Sequence, residues 1–376
     1  MNSTEISRNK VFVNMTALRH NFREVKNLAG ERRIMAMVKS DAYGHGLVAC
    51  ALTLEQAGAD ALGVMDLGEG LALRQGGLNL PVHVLGGVND PEHVDLALEN
   101  DIAVFAESPE LVRMISDRAR ALKVRAKIHL AVDTAQDSPR LSMGQAGELI
   151  REMGTWPNLK ILGLATRLAS VGDAKALRQL EKFDKLCYKI KNMGFSGGLD
   201  TCLDSCGLIW HNDNRAPLVR AGILLYGVHP GTDFAALRPD LRPVMTVLSK
   251  ITSIKDLKAG DQAGRTPVFL APRPMRVAVT PFGFSSGLIR TRTSPGWVLI
   301  RGRKAPLLGR ASMHSSSFDV TGIEEAAVGD IVVIVGRHGT SEIKAGEAAA
   351  WCDAAPSEIL TLFGKLNPRF AEGSDI

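Results

Sequence analysis

Ile34-Met35-Ala36-Met37-Val38-Lys39-Ser40-Asp41-Ala42-Tyr43-Gly44-His45-Gly46 is an apolar run that ends on a lysine and passes directly into a glycine-punctuated turn. A lysine leaving a buried strand has its ammonium held at a pocket mouth. Partial desolvation there lowers its pKa toward the neutral amine that Schiff-base chemistry needs. The tyrosine and glycines that follow suit a loop closing around a small anionic group. Alone, the segment also fits a surface lysine leaving a strand into a turn.

Working outward, short apolar runs alternate with amphipathic stretches over residues 30–230. The strand candidates are Ile34–Lys39, Ala61–Met65, Val82–Gly86, Ile102–Phe105, Lys127–Val132, Ile161–Ala165, Gly198–Leu203 and Val219–Tyr226. Helical patterns lie between them at Leu47–Ala57, Gly68–Gln75, Pro91–Leu98, Ser108–Leu122 and Ala174–Asn192. Eight strands with intervening helices over about 200 residues predict an α/β fold, a parallel (β/α)8 barrel with Lys39 on its C-terminal, chemistry-bearing face. An open doubly wound sheet is the competing architecture, but no G-x-G-x-x-G follows the first strand.

Beyond Leu241 the runs shorten, and Gly, Pro and Asp turns separate them, as in Val244–Thr252, Trp297–Arg301 and Ile331–Val335. No long helical period intervenes before Ser341–Cys352 and Pro356–Leu362. This predicts a mainly β C-terminal domain. The expected division is 11–240 for the barrel and 241–376 for the β domain, with segment 1–13 free to pack on the latter. Lys10–Val13 is strand-like, and Met15–Asn27 reads as a helix capped by Asn14 or Thr16.

The net charge of +5 over 376 residues is small, and Lys and Arg are interspersed with Asp and Glu. That argues against a nucleic-acid partner; Lys255-Asp256-Leu257-Lys258 and Arg301-Gly302-Arg303-Lys304 read as solvated turns. No run approaches the roughly 18 apolar residues of a membrane span, and Met1–Lys10 lacks a signal-peptide core. The five cysteines show no metal-ligand spacing, so reduced thiols, no metal site and a cytoplasmic location are expected.

The order V-K-x-x-A-Y-G-H-G resembles the pyridoxal-phosphate lysine motif of the alanine racemase family. The resemblance runs from about Val11 to Arg369. It takes in Ala17–Asn21, Asp133-Thr134, Arg140-Leu141, Asp204-Ser205-Cys206, Val219–Gly227 and Gly309–Met313. It implies pyridoxal 5'-phosphate as cofactor, a small amino-acid substrate, and interconversion of L- and D-alanine for D-alanine biosynthesis. It also implies a head-to-tail homodimer with shared active sites. By the same resemblance Lys39 carries the cofactor, Tyr43, Ser205, Gly222 and Ile223 hold its phosphate, and Arg220 faces its ring nitrogen. Arg140 and Met313 contact substrate.

The sequence departs from the family pattern around the substrate. Phe284, in Gly283-Phe284-Ser285-Ser286-Gly287, stands where the family has its second base, a tyrosine; phenylalanine has no proton to exchange. Arg167 stands in place of the histidine that bonds that tyrosine. Ala131 replaces a lysine, His314 an aspartate and Ser357 a phosphate-contacting tyrosine, and residues 135–139 lengthen the loop before Arg140. Three readings follow: a racemase of the alanine type, a one-base enzyme on the same scaffold (retro-aldol cleavage or β-elimination of a D-amino acid), and an inactive cofactor-binding homologue.

Overall fold

The computed structural model describes residues 6–135, 138–195, 197–211, 216–230, 238–263, 269–290, 294 and 296–373. Strand β1 (Lys10–Asn14) enters the helix Met15–Ala29, whose cap is Asn14: its Oδ1 accepts the Ala17 N–H at 2.8 Å. Eight parallel strands follow. They are β2 (Arg33–Met37), β3 (Ala61–Val64), β4 (Val82–Val84), β5 (Ile102–Ala106), β6 (Ala126–Ala131), β7 (Leu159–Ala165), β8 (Leu203–Asp204) and β9 (Leu218–Ala221). Their order, β7-β6-β5-β4-β3-β2-β9-β8, closes on itself through a parallel bridge between Ala165 and Thr201. The parallel barrel expected from the sequence is therefore present.

These strands are apolar along their length because helices cover one face and the barrel interior the other. Ile102–Ala106 is buried at every position. The interior packs Met35, Met37, Ala61, Phe105, Ala131, Ala165 and Leu218 together. Two imidazoles join them: His83 and His129, with ring centroids 5.2 Å apart and Phe105 4.6 Å from His129.

The second domain is β10 (Met245–Lys250), β11 (Ser253–Leu257), β12 (Gln262–Ala263), β13 (Phe269–Leu270), β14 (Met275–Thr280), β15 (Trp297–Ile300), β16 (Arg303–Leu308), β17 (Ser316–Asp319), β18 (Ile331–His338), β19 (Ser341–Ile343) and β20 (Arg369–Glu372). Strand β1 lies in this sheet, antiparallel to β10 and parallel to β20, so a segment that precedes the barrel in sequence is part of the β domain.

Several elements differ from the sequence expectation. Strand β2 stops at Met37, and Lys39 opens a tight turn instead of ending the strand. Lys255, Asp256 and Leu257 belong to β11, because its edge position lets charged side chains point to water from a paired backbone. Arg301-Gly302 is the two-residue turn of the β15–β16 hairpin, with both residues at positive φ, while Arg303 and Lys304 are already in β16. Ser341–Ile343 is a strand, and the helix begins at Ala345.

Buried histidines make the stability pH-dependent. Burial pushes His83 down to about 4 and His45, stacked 4.6 Å from Tyr226, also to about 4. Burial, then His83, pushes His129 well below its ordinary value. The unfolded chain binds these protons near pH 6.5, so the contribution is complete above pH 6.5 and is lost as pH falls toward 4. The His83 and His45 shifts each correspond to about 3 kcal/mol. Urea midpoints should drop between pH 6.5 and 4.5, and His83→Leu should flatten that slope. An unchanged slope in the variant would show that His83 is not buried neutral.

Candidate active site

Lys39 is followed by four consecutive non-glycine residues in the left-handed region: Ser40, Asp41, Ala42 and Tyr43, at φ 55°, 59°, 54° and 53°. Each costs on the order of 1–2 kcal/mol in an L-residue, so the turn persists only because its surroundings over-determine it. Glu69 Oε1 accepts the Asp41 N–H at 2.8 Å, and Asp41 Oδ1 accepts the Leu47 N–H at 2.7 Å. Arg369, from β20, donates to the other Asp41 oxygen and to the Gly44 carbonyl at 3.3 Å. The helix Pro356–Leu366 presses on the turn from outside. A Cβ on Gly364 would lie 1.8 Å from the Gly44 oxygen, so only glycine fits there.

The turn delivers Lys39 and Tyr43 to one cavity of about 1670 Å³ at the C-terminal mouth of the barrel. Arg140, Arg167, Ser205, Arg220, Gly222 and Ile223 line it as well. Burial is the main cause that lowers the Lys39 pKa, followed by the Arg167 charge; Asp204 and Glu69 oppose them. The tyrosine ring packs 4.8 Å from Tyr226, whose hydroxyl donates to the Met37 carbonyl at 3.0 Å.

Beside the lysine, β9, the hydrogen-bonded neighbour of β2, and β8 next to it end in an anion cradle. The Gly222 N–H points at Ser205 Oγ, 2.8 Å away, and a Cβ on Gly222 would lie 2.5 Å from Tyr43 Oη. The phenol, the hydroxyl and the bare glycine backbone therefore converge on a single spot. Asp204 caps the helix Ser205–Trp210 by accepting the Gly207 N–H at 2.9 Å.

Arg220 is buried, not a surface ion pair. It donates to the Thr201 carbonyl at 3.1 Å, to Thr201 Oγ1 at 2.8 Å and to the Thr166 carbonyl at 2.7 Å. Its position on β9 thus spans the seam where β7 and β8 close the barrel. Arg140 also reaches the cavity and pairs with Glu107, Nε to Oε1 at 3.4 Å. The sequence reading passed over Glu107, although it directly follows β5 on the chemistry-bearing face, which is the signal that could have found it. Gln136 and Asp137 of the lengthened loop lie outside the described residues. Ser357 lines the outer cavity.

The structure does not bring Met313 to this cavity within one chain. Met313, 52% exposed, and Phe284, 38% exposed, sit together on the β domain away from Lys39. The Phe284 N–H donates to the Ser312 carbonyl at 3.0 Å and the Ser285 N–H to the Met313 carbonyl at 2.9 Å; Ser285 Oγ lies 2.9 Å from His314 Nδ1. No group of three or more His, Cys, Asp or Glu suited to a metal occurs among the described residues. Nor is any helix among them long and apolar enough to cross a membrane.

A barrel that presents a partly desolvated lysine beside an anion cradle defines a class of enzyme in which an amine works next to a bound anionic group. The family models "Alanine racemase, N-terminal domain" and "Alanine racemase, C-terminal domain" match residues 13–230 and 244–371. The alanine racemase of Syntrophobacter fumaroxidans is 35% identical over 360 residues, spanning 94% of this chain and 95% of that protein. The Clostridium difficile 630 alanine racemase superimposes with a TM-score of 0.91 at 27% identity, covering 98% of this chain and 96% of that one. The enzyme from D-cycloserine-producing Streptomyces lavendulae gives 0.90 at 26%, covering 98% of each. The chain belongs to the alanine racemase family.

The cradle is tight enough to test by substitution. Gly222→Ala should destabilise the fold by about 1–3 kcal/mol through overpacking against Tyr43. In a Tyr43→Phe background the cost should shrink, since the atom at 2.5 Å is the hydroxyl; a double-mutant cycle in urea measures it. Strict additivity would mean that the two residues do not meet.

Proposed function

We propose that this chain is a pyridoxal-phosphate-dependent amino-acid racemase of the alanine racemase type, interconverting L- and D-alanine. The observation that carries the reading is the convergence of the Lys39 amine, the Tyr43 hydroxyl, Ser205 Oγ and the Gly222 N–H on one cavity. The fit to the cofactor is chemical: an amine with a lowered pKa for the aldehyde, and hydroxyl and N–H groups for a phosphate. Bound there, pyridoxal phosphate supplies an electron sink that acidifies the substrate Cα–H.

The protein's own groups do the rest. Lys39 would anchor the cofactor and then take or return the Cα proton on its own face. Tyr43, Ser205 and the Gly222 and Ile223 backbone would grip the phosphate. Arg220 has no lone pair to accept a proton and is too weak an acid to release one, so it would leave the cofactor ring nitrogen unprotonated. That favours reversible proton transfer over decarboxylation. Arg140, with Nε on Glu107, keeps its terminal nitrogens for the substrate carboxylate.

A pair of chains would complete the site. The exposed edge that carries Phe284, Met313 and His314 supports a head-to-tail homodimer in which one β domain covers the partner's cavity and Met313 contacts the substrate. Cys50, Cys187, Cys202, Cys206 and Cys352, none of them in a disulfide, fit a cytoplasmic setting. Because Phe284 offers no second base, inversion should be slow.

Borohydride treatment of the protein with pyridoxal phosphate should fix the cofactor to a peptide containing Lys39, read by mass spectrometry. A protein that never labels sinks the assignment. In deuterium oxide, alanine should exchange its Cα–H and invert slowly. Phe284→Tyr combined with Arg167→His should raise inversion about 10²–10⁴-fold, by more than either change alone. Exchange from one enantiomer with no inversion would identify one-base chemistry instead.

A further inference from the structure

Of the five arginines that line the cavity, three belong to the barrel, Arg140, Arg167 and Arg220, and they differ in what they hold. Arg220 is committed to Thr201 and Thr166. Arg140 gives its Nε to Glu107, leaving two terminal nitrogens for one carboxylate. Arg167 lines the same cavity, and among the described residues its guanidinium has no hydrogen-bond or ion-pair partner.

The main chain at Arg167 is nevertheless held in place. Its carbonyl accepts from Gln179 Nε2 at 3.2 Å, and the same nitrogen donates to Thr134 Oγ1 at 3.1 Å. One residue before it, the Thr166 N–H reaches the Thr201 carbonyl at 3.0 Å, and Thr166 Oγ1 donates to the Val132 carbonyl at 2.9 Å. One residue beyond Leu168, the Ala169 N–H meets Gln179 Oε1 at 2.8 Å. A fixed backbone thus projects an uncommitted cation near Lys39, whose proton affinity Arg167 lowers more than any other charge does.

We propose that Arg167 receives an anionic group at the end of the substrate side chain, so that the chain takes a dicarboxylic amino acid, aspartate or glutamate, in preference to alanine. This rests on the pyridoxal-phosphate racemase reading above and changes its preferred substrate from alanine. A substrate with one carboxylate satisfies Arg140 or Arg167 and leaves the other guanidinium facing a filled site. Alanine's methyl group offers it no acceptor, whereas a second carboxylate can bind it through two parallel N–H···O bonds.

Succinate and propionate separate the two carboxylates without engaging amine chemistry. Calorimetry on the full chain, as purified and again after loading with pyridoxal phosphate, should show succinate binding at least about ten-fold tighter than propionate, the scale of one charge-assisted contact. Arg167→Gln should abolish that ratio and Arg167→Lys should keep part of it; Arg140→Gln should weaken both ligands. With loaded protein, aspartate or glutamate should shift the cofactor absorbance at lower concentration than alanine. Equal affinity for succinate and propionate, no detectable binding of either, or a ratio that survives Arg167→Gln overturns the proposal. Failure of Lys39 to label overturns the cofactor reading instead, and the calorimetry without cofactor still decides the role of Arg167.

Discussion

The Asp41 carboxylate is the contact on which the site depends. One oxygen accepts the N–H that starts the helix Leu47–Gln56, and the other takes the Arg369 guanidinium from the last strand of the β domain. Between these anchors four L-residues sit in the left-handed region, which no local preference would choose. The lysine is aimed by this strained turn and not by the strand itself. Through Arg369 and the Gly44–Gly364 contact, the β domain takes part in aiming it. Barrel and β domain are thus coupled at the residue where the chemistry starts, which gives a physical reason for a long β appendage on a barrel that already closes.

A second coupling runs through Arg220. Burying a guanidinium is expensive unless its donors are satisfied, and here the acceptors belong to the two segments that meet at the barrel seam. The seam is short, because β8 has only two residues and closure relies on one bridge at Thr201. Arg220 therefore serves closure and the floor of the site together. A lysine could not replace it, having a single nitrogen for acceptors that lie in separate directions.

The barrel was legible in the sequence because strands buried on both faces read as continuous apolar runs, and eight of them recur at the right interval. The β domain was legible in texture but not in detail: an edge strand such as Lys255–Leu257 is charged, and Arg301-Gly302 announces a turn only once its partner strands are known. Lys39, Tyr43, Ser205, Arg220, Gly222 and Arg140 line one cavity; the segment around Lys39 points to that lysine on its own, and the others are named by resemblance to the family strings. Hidden from the sequence were the supports, Glu107, Thr166, Thr201 and Arg369. Each acts through a partner tens to hundreds of positions away, and no spacing rule connects them. Met313 shows the opposite limit: its string resembles the family pattern, yet a single chain leaves it on an exposed edge.

The departures from the family pattern are unevenly distributed, and the physics of the two halves explains why that leaves the scaffold intact. The cradle side of the cavity is built from backbone: a glycine whose Cβ would strike Tyr43, a helix capped by Asp204, a turn locked by a carboxylate. Changing any of these disturbs packing that the fold requires. The departures fall on side-chain tips at strand ends and on an exposed edge, where Ala131, Arg167, Phe284 and His314 can stand without a buried unpaired charge. Phe284 and Arg167 also change the site in a linked direction. A phenol and an imidazole can pass a proton between them, whereas a phenyl ring and a guanidinium cannot; what the pair can supply is an apolar wall and a fixed positive charge. Under the proposed function that combination would weaken proton return on one face and strengthen selection for what the substrate carries, so the same two substitutions would bear on rate and on specificity together.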